Sequence, residues 1–239
     1  MRVLAIDTSG DHSVIAVTVK GELRVERHVR ARSRQGETLL PAIEQALDMA
    51  ELSIAEIDLI GVGLGPGSFT GVRIGVATAK GLALARQTPM VGVRTSRVIA
   101  RGLFGSLRVP VIDAHKGEVF VAVYEARDDG TLVMRHDDSN VRPALAAERV
   151  RAAMGEVACP VVAGSGLLAH RDAFLSALGM PSVVAPRAFD VPRGALLALE
   201  AEEAFALRGA DDLAMLEPLY VRASDAVPSV RGSEVRAER

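Results

Sequence analysis

The hydrophobic pattern along the chain predicts an α/β protein made of two similar halves. Short apolar runs bounded by glycine and polar residues indicate strands, and apolar residues recurring every three or four positions indicate helices. The predicted strands are 3–9, 13–20, 22–29, 57–63, 90–95, 109–115, 118–126, 131–136, 160–163 and 182–185. The predicted helices are 37–52, 68–86, 96–104, 144–154, 168–178 and 194–207. The series strand, strand, strand, helix, strand therefore occurs twice, before and after Gly105.

The two series also begin with related sequences. Ala5-Ile6-Asp7-Thr8 ends the first strand of the chain, and Val111-Ile112-Asp113-Ala114 occupies the same place in the second series. An Ile-Asp pair at the same place in both series indicates an internal duplication. We predict an N-terminal subdomain, 1–105, and a C-terminal subdomain with closing helices, 106–222. The polar segment 223–239 is expected to be a mobile tail.

Composition limits the possible functions. The 239 residues are 49% hydrophobic and 24% charged, with a formal net charge of −2, which predicts a globular chain without a strongly basic nucleic-acid face. The single cysteine, Cys159, excludes an internal disulfide and is expected to be buried. No apolar run is long enough to span a membrane, and Met1 leads directly into a strand, so we expect a cytoplasmic protein. Glu200, Glu202 and Glu203 are expected on a solvated face of the last helix.

The stretch from Ile57 to Ala85 is the most distinctive part of the chain. It predicts a strand, a turn punctuated by Gly65-Pro66-Gly67, and a helix for which Ser68 is the expected N-cap. A P-loop would end in a lysine followed by a hydroxyl residue, whereas this turn continues into Phe69-Thr70-Gly71, so a P-loop is excluded. A dinucleotide-binding fingerprint would place an acidic residue about 20 positions further on, and none lies between Gly81 and Met90.

The helix after this turn carries a stripe of small residues, Gly71, Gly75, Ala79 and Ala83, which lets another backbone approach closely. That backbone could belong to the same chain or to a second subunit. The helix 37–52, with Thr38 as its expected N-cap, has an apolar face wider than one sheet contact needs. We therefore expect the two helices to form a partner interface through Leu39, Ile43, Leu47, Gly71, Val72, Gly75, Val76, Ala79 and Ala83.

The duplicated unit, with an aspartate ending its first strand, resembles the actin-like, sugar-kinase and heat-shock ATPase superfamily (ASKHA, ribonuclease H-like), here as two similar βββαβα subdomains. Within it the chain resembles the TsaB (YeaZ) family, paralogues of the TsaD threonylcarbamoyltransferase. The matching segments are 6–8, 65–75, 112–114 with 117–120, and 217–222. The central family motif comprises Gly65, Pro66, Gly67, Ser68, Phe69, Thr70, Gly71 and Arg73. Gln35 and His115 depart from the residues that the family commonly carries there.

This resemblance implies a non-catalytic subunit that pairs with TsaD through N-terminal helices. With TsaE, the complex would use ATP and threonylcarbamoyl-AMP to form threonylcarbamoyladenosine next to the anticodon of tRNAs reading codons that begin with A. It implies no tightly bound cofactor in this chain, contact with tRNA through the complex, no membrane association, and a homodimer when the chain is alone.

Three other activities are weighed against this hypothesis. A metalloprotease-like site of this fold would use two histidines four apart, and no pair among His12, His28, His115, His136 and His170 has that spacing. The fold binds phosphates between its two hairpins, so a vestigial nucleotide site is possible at Asp7, Thr8, Asp113, Gly164 and Gly166. Direct tRNA binding would depend on the basic cluster Arg24, Arg27, Arg30, Arg32 and Arg34.

Overall fold

Two five-stranded mixed sheets form the framework of the computed structural model, which describes residues 1–31, 34–155 and 159–221. The predicted tail, 223–239, and Arg222 lie outside the described residues. The first half contains β1 (Arg2–Asp7), β2 (His12–Val19), β3 (Glu22–Arg30), α1 (Gln35–Met49), β4 (Leu59–Gly63), α2 (Phe69–Arg86), β5 (Met90–Val93) and α3 (Thr95–Gly102). The second contains β6 (Leu107–His115), β7 (Glu118–Ala126), β8 (Leu132–Val141), α4 (Pro143–Ala153), β9 (Pro160–Ala163), α5 (Gly166–Leu178), β10 (Val183–Val184) and α6 (Gly194–Arg208).

The two sheets have the same topology. The first has the order β3-β2-β1-β4-β5, and the second, read from its opposite edge, has β8-β7-β6-β9-β10. In both, the first three strands form an antiparallel meander and the last two join in parallel. The predicted duplication and the actin-like α/β fold class are therefore confirmed, with each half extended to βββαβαβα.

Each sheet is covered by helices on both faces, as expected for strands that are apolar on both sides. Helices α1 and α2 pack on one face of the first sheet, and α4 and α5 pack on one face of the second. The last helix of each half crosses over: α6 covers the other face of the first sheet, and α3 packs on the second. The approach of α6 is so close that a Cβ on Gly61 would lie 2.8 Å from the Cβ of Ala201.

Three arginines of α3 and the turn before it join the two halves. Arg94 pairs with Asp138 of β8 at 2.9 Å, Arg97 pairs with Glu200 of α6, and Arg101 pairs with Glu203. Glu200 is only 4% exposed, so the prediction that it lies on a solvated face is wrong. Its burial is compensated by the guanidinium groups that α3 brings to it.

Several local predictions are corrected by the structure. Helix α1 begins at Gln35 and ends at Met49, and the Thr38 hydroxyl donates to the carbonyl of Arg34 instead of capping the helix. Cys159 is exposed, not buried. Among the described residues, no helix is both long and apolar enough to cross a membrane.

Candidate functional site

The start of α2 is held against the end of β1 by a group of short contacts. Ser68 is the N-cap that the sequence predicted, since its hydroxyl accepts a hydrogen bond of 3.2 Å from the amide of Gly71. The Ser68 amide donates to the carbonyl of Ser9 at 2.6 Å, and the Thr8 hydroxyl donates to the carbonyl of Gly71 at 2.7 Å. The family motif therefore anchors the turn between β1 and β2.

The glycines of this motif leave room for that turn. A Cβ on Gly71 would lie 2.2 Å from the Thr8 carbonyl oxygen, and a Cβ on Gly75 would lie 2.2 Å from the Thr8 hydroxyl. A Cβ on Gly67 would lie 2.2 Å from the carbonyl oxygen of Ser9. The backbone that approaches the small-residue stripe therefore belongs to the same chain.

All nine residues predicted to face a partner lie inside the chain. They pack between the first sheet and the two helices. The seven residues other than glycine are at most 5% exposed, and both glycines are buried. In this conformation they support α1 and α2 from within and are not surface residues. The nine residues predicted at the interface and found buried are Leu39, Ile43, Leu47, Gly71, Val72, Gly75, Val76, Ala79 and Ala83.

The outward faces of α1 and α2 are formed by other residues. Large apolar side chains are exposed on both helices: Leu40 and Met49 on α1 are 49% and 66% exposed, and Phe69 and Leu84 on α2 are 51% and 66% exposed. Between Arg73 and Leu84, the exposed row of α2 contains the small residues Ala77 and Gly81. We call these outward surfaces of α1 and α2 the helix face. Large apolar side chains exposed on two adjacent helices favour a protein interaction surface.

An aromatic and cationic cluster fixes one end of the helix face. The Arg73 guanidinium lies 3.7 Å from the ring centre of Phe69, and its Nε donates to the Tyr220 hydroxyl at 3.0 Å. Tyr220 lies in the segment 217–221. The Leu219 amide of this segment donates a hydrogen bond of 2.8 Å to the carbonyl of Leu64. The structure thus brings together two family segments that are far apart in sequence, 65–75 and the described part, 217–221, of 217–222.

A cleft of about 740 Å³ lies where the two hairpins and the N-termini of α2 and α5 meet. Its polar lining combines acidic, basic and hydroxyl side chains from both halves. They are Ser9, Asp11, His12, Arg30, Ser68, Thr95, Asp113, His115, Ser165, Arg187 and Asp190. Of the five residues at which the sequence predicted a vestigial nucleotide site, Asp113 lines this cleft, and Asp7, Thr8, Gly164 and Gly166 are not among its lining residues.

The two aspartates of the duplicated motif stabilise turns of their own hairpins. The Asp7 carboxylate accepts from the Ser9 amide at 2.8 Å, from the Ser9 hydroxyl at 2.6 Å and from the Thr95 hydroxyl at 2.7 Å. Burial raises the pKa of Asp7, and these hydrogen bonds oppose that effect. Asp113 accepts from the His115 amide at 2.9 Å in the equivalent way. Both carboxylates therefore act as turn acceptors.

The remaining predicted nucleotide residues have structural partners too. Thr8 is buried against α2. A Cβ on Gly164 would lie 2.2 Å from the Val111 carbonyl oxygen, and a Cβ on Gly166 would lie 3.0 Å from the same atom. Gly164 and Gly166 therefore accommodate β6, and both oxygens of Asp7 are hydrogen-bonded within the chain.

The basic cluster is spread over several local contacts. Arg24 pairs with Glu22 at 3.2 Å, and Arg34 pairs with Glu37 at 3.1 Å. Arg27 donates to the amide oxygen of Gln45 at 2.7 Å, and Arg30 lies in the cleft. Arg32 lies outside the described residues.

A buried polar group was not foreseen from the sequence. The Asp138 side chain is 1% exposed and pairs with Arg94, and the nearby Ser96 hydroxyl lies 3.0 Å from the hydroxyl of Tyr124. Burial raises the pKa of both Asp138 and Tyr124. The only sequence signal was the spacing of arginines at 94, 97 and 101, which places them along one side of a helix.

Comparisons with known proteins agree with this fold. The family model described as "TsaD: tRNA N6-adenosine threonylcarbamoyltransferase" matches residues 30–146. A protein of Escherichia coli named tRNA threonylcarbamoyladenosine biosynthesis protein TsaB is 35% identical over 72% of this chain and 74% of its own length. The Bacillus subtilis protein of the same name is 30% identical over 95% of this chain and 96% of its own length.

Among solved structures, YeaZ from Pseudomonas aeruginosa superposes with a TM-score of 0.77 at 25% identity. The match covers 92% of this chain and 99% of the YeaZ chain. Two relatives at or above 30% identity that are matched over most of their length, together with this structural agreement, identify the family. The chain belongs to the TsaB (YeaZ) family.

Proposed function

We propose that this chain takes part in tRNA threonylcarbamoyladenosine biosynthesis as a non-catalytic subunit that docks onto a TsaD-family threonylcarbamoyltransferase. The names of the two relatives support the pathway, and the family-model match supports kinship with the transferase. The observation that carries the docking role is the helix face, with four large apolar side chains exposed on adjacent helices.

The packing of the helices supports this role. In the second half, α4 and α5 pack against each other extensively, whereas the equivalent helices α1 and α2 contact each other much less. The first half therefore has a more open pair of helices, with the small residues Ala77 and Gly81 exposed on α2. An open, apolar pair of helices accommodates helices of a homologous subunit, as in a four-helix bundle.

The non-catalytic part of the proposal is supported by the cleft. The carboxylates of Asp7 and Asp113 are engaged in turns of their own hairpins, and Gly164 and Gly166 accommodate β6. The nucleotide and threonylcarbamoyl-AMP would then be bound by other subunits of the complex, with TsaE and tRNA joining it in the cytoplasm.

The docking role is tested by a charge placed on the helix face. Leu84→Glu on α2 should weaken binding to the TsaD homologue of the same organism by at least about 30-fold. The substitution removes the apolar contact that Leu84 would bury in the complex, and it places there a carboxylate that must be desolvated. Leu145→Glu is the matched control, since Leu145 is a 42% exposed leucine on α4. Binding is measured by titration of the purified proteins, and threonylcarbamoyladenosine formation is measured in the reconstituted reaction.

Equal binding by wild type and Leu84→Glu would refute docking through this face. Buried positions such as Val76 and Ala79 are unsuitable for this test, because a charge there would disrupt the core of the chain itself. Folding of each variant is checked by thermal unfolding before binding is compared.

The competing function is an ATP-binding or metalloprotease-like enzyme that uses the cleft. Its size is the observation in favour, since about 740 Å³ is within the range of small-molecule sites. Calorimetry of the isolated chain with ATP and magnesium distinguishes the two. Our proposal predicts no saturable heat at micromolar protein concentration, and a micromolar site would support the enzyme.

A further inference from the structure

Helix α3 lies between the two halves, and its first two residues bond to opposite halves. The Thr95 hydroxyl donates to Asp7 of β1 at 2.7 Å, and the Thr95 amide donates to the Gly65 carbonyl at 2.7 Å. Ser96, the next residue, has its hydroxyl 3.0 Å from the hydroxyl of Tyr124 on β7. The side chains of Asp7, Thr95, Ser96 and Tyr124 are at most 1% exposed. Moving α3 away from either half would therefore leave buried polar groups without partners, which is costly.

The later turns of α3 continue this pattern with charged side chains. Arg97 donates to the Leu132 carbonyl of β8 at 3.0 Å and pairs with Glu200 of α6. Arg101 donates to the Gly130 carbonyl at 3.1 Å, and its Nε lies 3.5 Å from Glu200. Because α6 packs on the first sheet, each of these arginines bonds to both halves at once. Sliding α3 along α6 would separate the buried carboxylate of Glu200 from two guanidinium groups.

The second crossing of the chain between the halves, from β10 to α6, is also held at both ends. Asp190 accepts from the amide of Gly164, the residue after β9, at 2.9 Å. Glu26 of β3 accepts from the Gly194 amide at 2.6 Å and pairs with Arg193 at 2.7 Å. Domains that rotate about a hinge do so through a few residues whose backbone angles are free to change. At both crossings the residues are instead bonded to neighbouring strands and helices.

We propose that α3 is a brace that fixes the separation of the two halves, so that the cleft between them keeps a constant width. Arg30 lines the cleft from the first half, Arg187 lines it from the second, and Thr95 of the brace lies between them in the lining. A hinged protein closes such a cleft by rotating one domain against the other. Here that rotation would break the bonds of Thr95 or Ser96 together with the pairing of Glu200. The two halves therefore move as one body.

The brace is tested by the distances between spin labels, measured by double electron-electron resonance. In a Cys159→Ser background, Glu44→Cys on α1 with Glu148→Cys on α4 gives a pair between the halves, and Glu148→Cys with Arg171→Cys on α5 gives a reference pair within the second half. All three labelled positions are exposed. Labelled chains are diluted with unlabelled chains, so that only distances within one chain are counted. We expect the two distance distributions to have the same width, because halves that move as one body add no motion to the first pair.

Removing the two bridging hydroxyls should release the halves. Thr95→Val combined with Ser96→Ala should widen the distribution of the pair between the halves about twofold or more and leave the reference pair unchanged. Ser139→Ala is the matched control and should widen neither, because the Ser139 hydroxyl bonds only within the second half. Glu200→Gln breaks the brace at α6 instead, and it replaces the double variant if thermal unfolding shows that the double variant does not fold.

Two results would overturn the proposal. In the first, the wild-type distribution between the halves is clearly wider than the reference distribution, which shows halves that already move. In the second, folded brace variants give distributions as narrow as the wild type, which assigns the rigidity to other contacts. No partner is present in these measurements. A failed docking test on the helix face would therefore leave the brace standing, and mobile halves in a chain that still binds the TsaD-family partner would refute the brace alone.

Discussion

Replacing Gly71 by alanine tests whether the small-residue stripe of α2 serves the fold of the chain itself. The added methyl group would lie 2.2 Å from the carbonyl oxygen of Thr8, a backbone atom of the turn that follows β1. Ordinary contacts between such atoms begin near 3.4 Å, so the helix and the turn must separate by about 1 Å. The Thr8 hydroxyl, which donates to the Gly71 carbonyl, would be displaced by the same movement.

The expected loss is the difference between two opposing effects. Alanine favours a helix over glycine by about 1 kcal/mol. Overpacking a well-filled interior costs about 1–3 kcal/mol, and weakening one buried hydrogen bond costs about 1 kcal/mol. We therefore expect Gly71→Ala to lower the free energy of unfolding by about 1–3 kcal/mol, which lowers the melting temperature by several degrees, at about 2–4 °C per kcal/mol for a chain of this size.

Gly81→Ala provides the matched control, because Gly81 lies in the same helix and a Cβ there would have no heavy atom within 4 Å. This substitution should raise the free energy of unfolding by about 0.5–1 kcal/mol. Both variants are compared with wild type by urea unfolding monitored by far-UV circular dichroism. If Gly71→Ala were as stabilising as Gly81→Ala, the stripe would be free to receive a partner and the close packing described above would be refuted.

Three further predictions follow from buried and exposed side chains. Glu200→Gln should lower the free energy of unfolding by about 3 kcal/mol in urea titrations, because it leaves two arginines of α3 without their buried carboxylate. The control Glu203→Gln should lower it by at most about 1 kcal/mol, because Glu203 is exposed. Similar losses in the two variants would argue against the buried pairing. Burial raises the pKa of Asp7, so the folded state holds the carboxyl proton of Asp7 more tightly than the unfolded state does. The stability of the wild type relative to Asp7→Asn should therefore fall as the pH rises above about 4 and level off beyond the folded-state pKa. A constant difference in stability between pH 4 and 8 would contradict this expectation. Cys159 should react with a thiol reagent in the native protein nearly as fast as in urea, and strong protection would contradict its exposure.

Local features of the chain were predictable because their causes are local. The order of strands and helices follows from hydrophobic period and turn residues, and Ser68 was identified as an N-cap because it follows Gly65-Pro66-Gly67 and precedes an apolar helix. The duplication was visible in the matching positions of Asp7 and Asp113. The structure adds the physical reason for that match, since each aspartate accepts the amide two residues further on.

The direction in which α2 faces was not predictable from its sequence. The stripe through Gly71 and Gly75 and the row through Ala77 and Gly81 both contain small residues, and Arg73 at the start of the second row is the one charged residue in either, so small-residue periodicity alone did not show which one lies against the sheet. The choice depends on Thr8, more than sixty residues earlier in the chain. The interface prediction identified the two helices from which the proposed face is built but named their inner residues.

Long-range charge pairing was also missed. Glu200 was grouped with two neighbouring glutamates on one expected solvated face, although its partners Arg97 and Arg101 lie about a hundred residues earlier. Nothing near Glu200 in the sequence indicates these partners, because the contact arises only when α3 and α6 cross between the halves.

The exchange of α3 and α6 has a consequence for how this chain can be divided. A fragment ending at Gly105 would lack the helix that covers Val3, Ala5 and Ala16, and the complementary fragment would lack the helix that covers Ile112 and Phe120. Each fragment would expose an apolar face of its sheet to water and should aggregate when expressed alone. Truncation at the apparent midpoint is therefore unsuitable for mapping binding partners, which requires a chain that contains both α3 and α6.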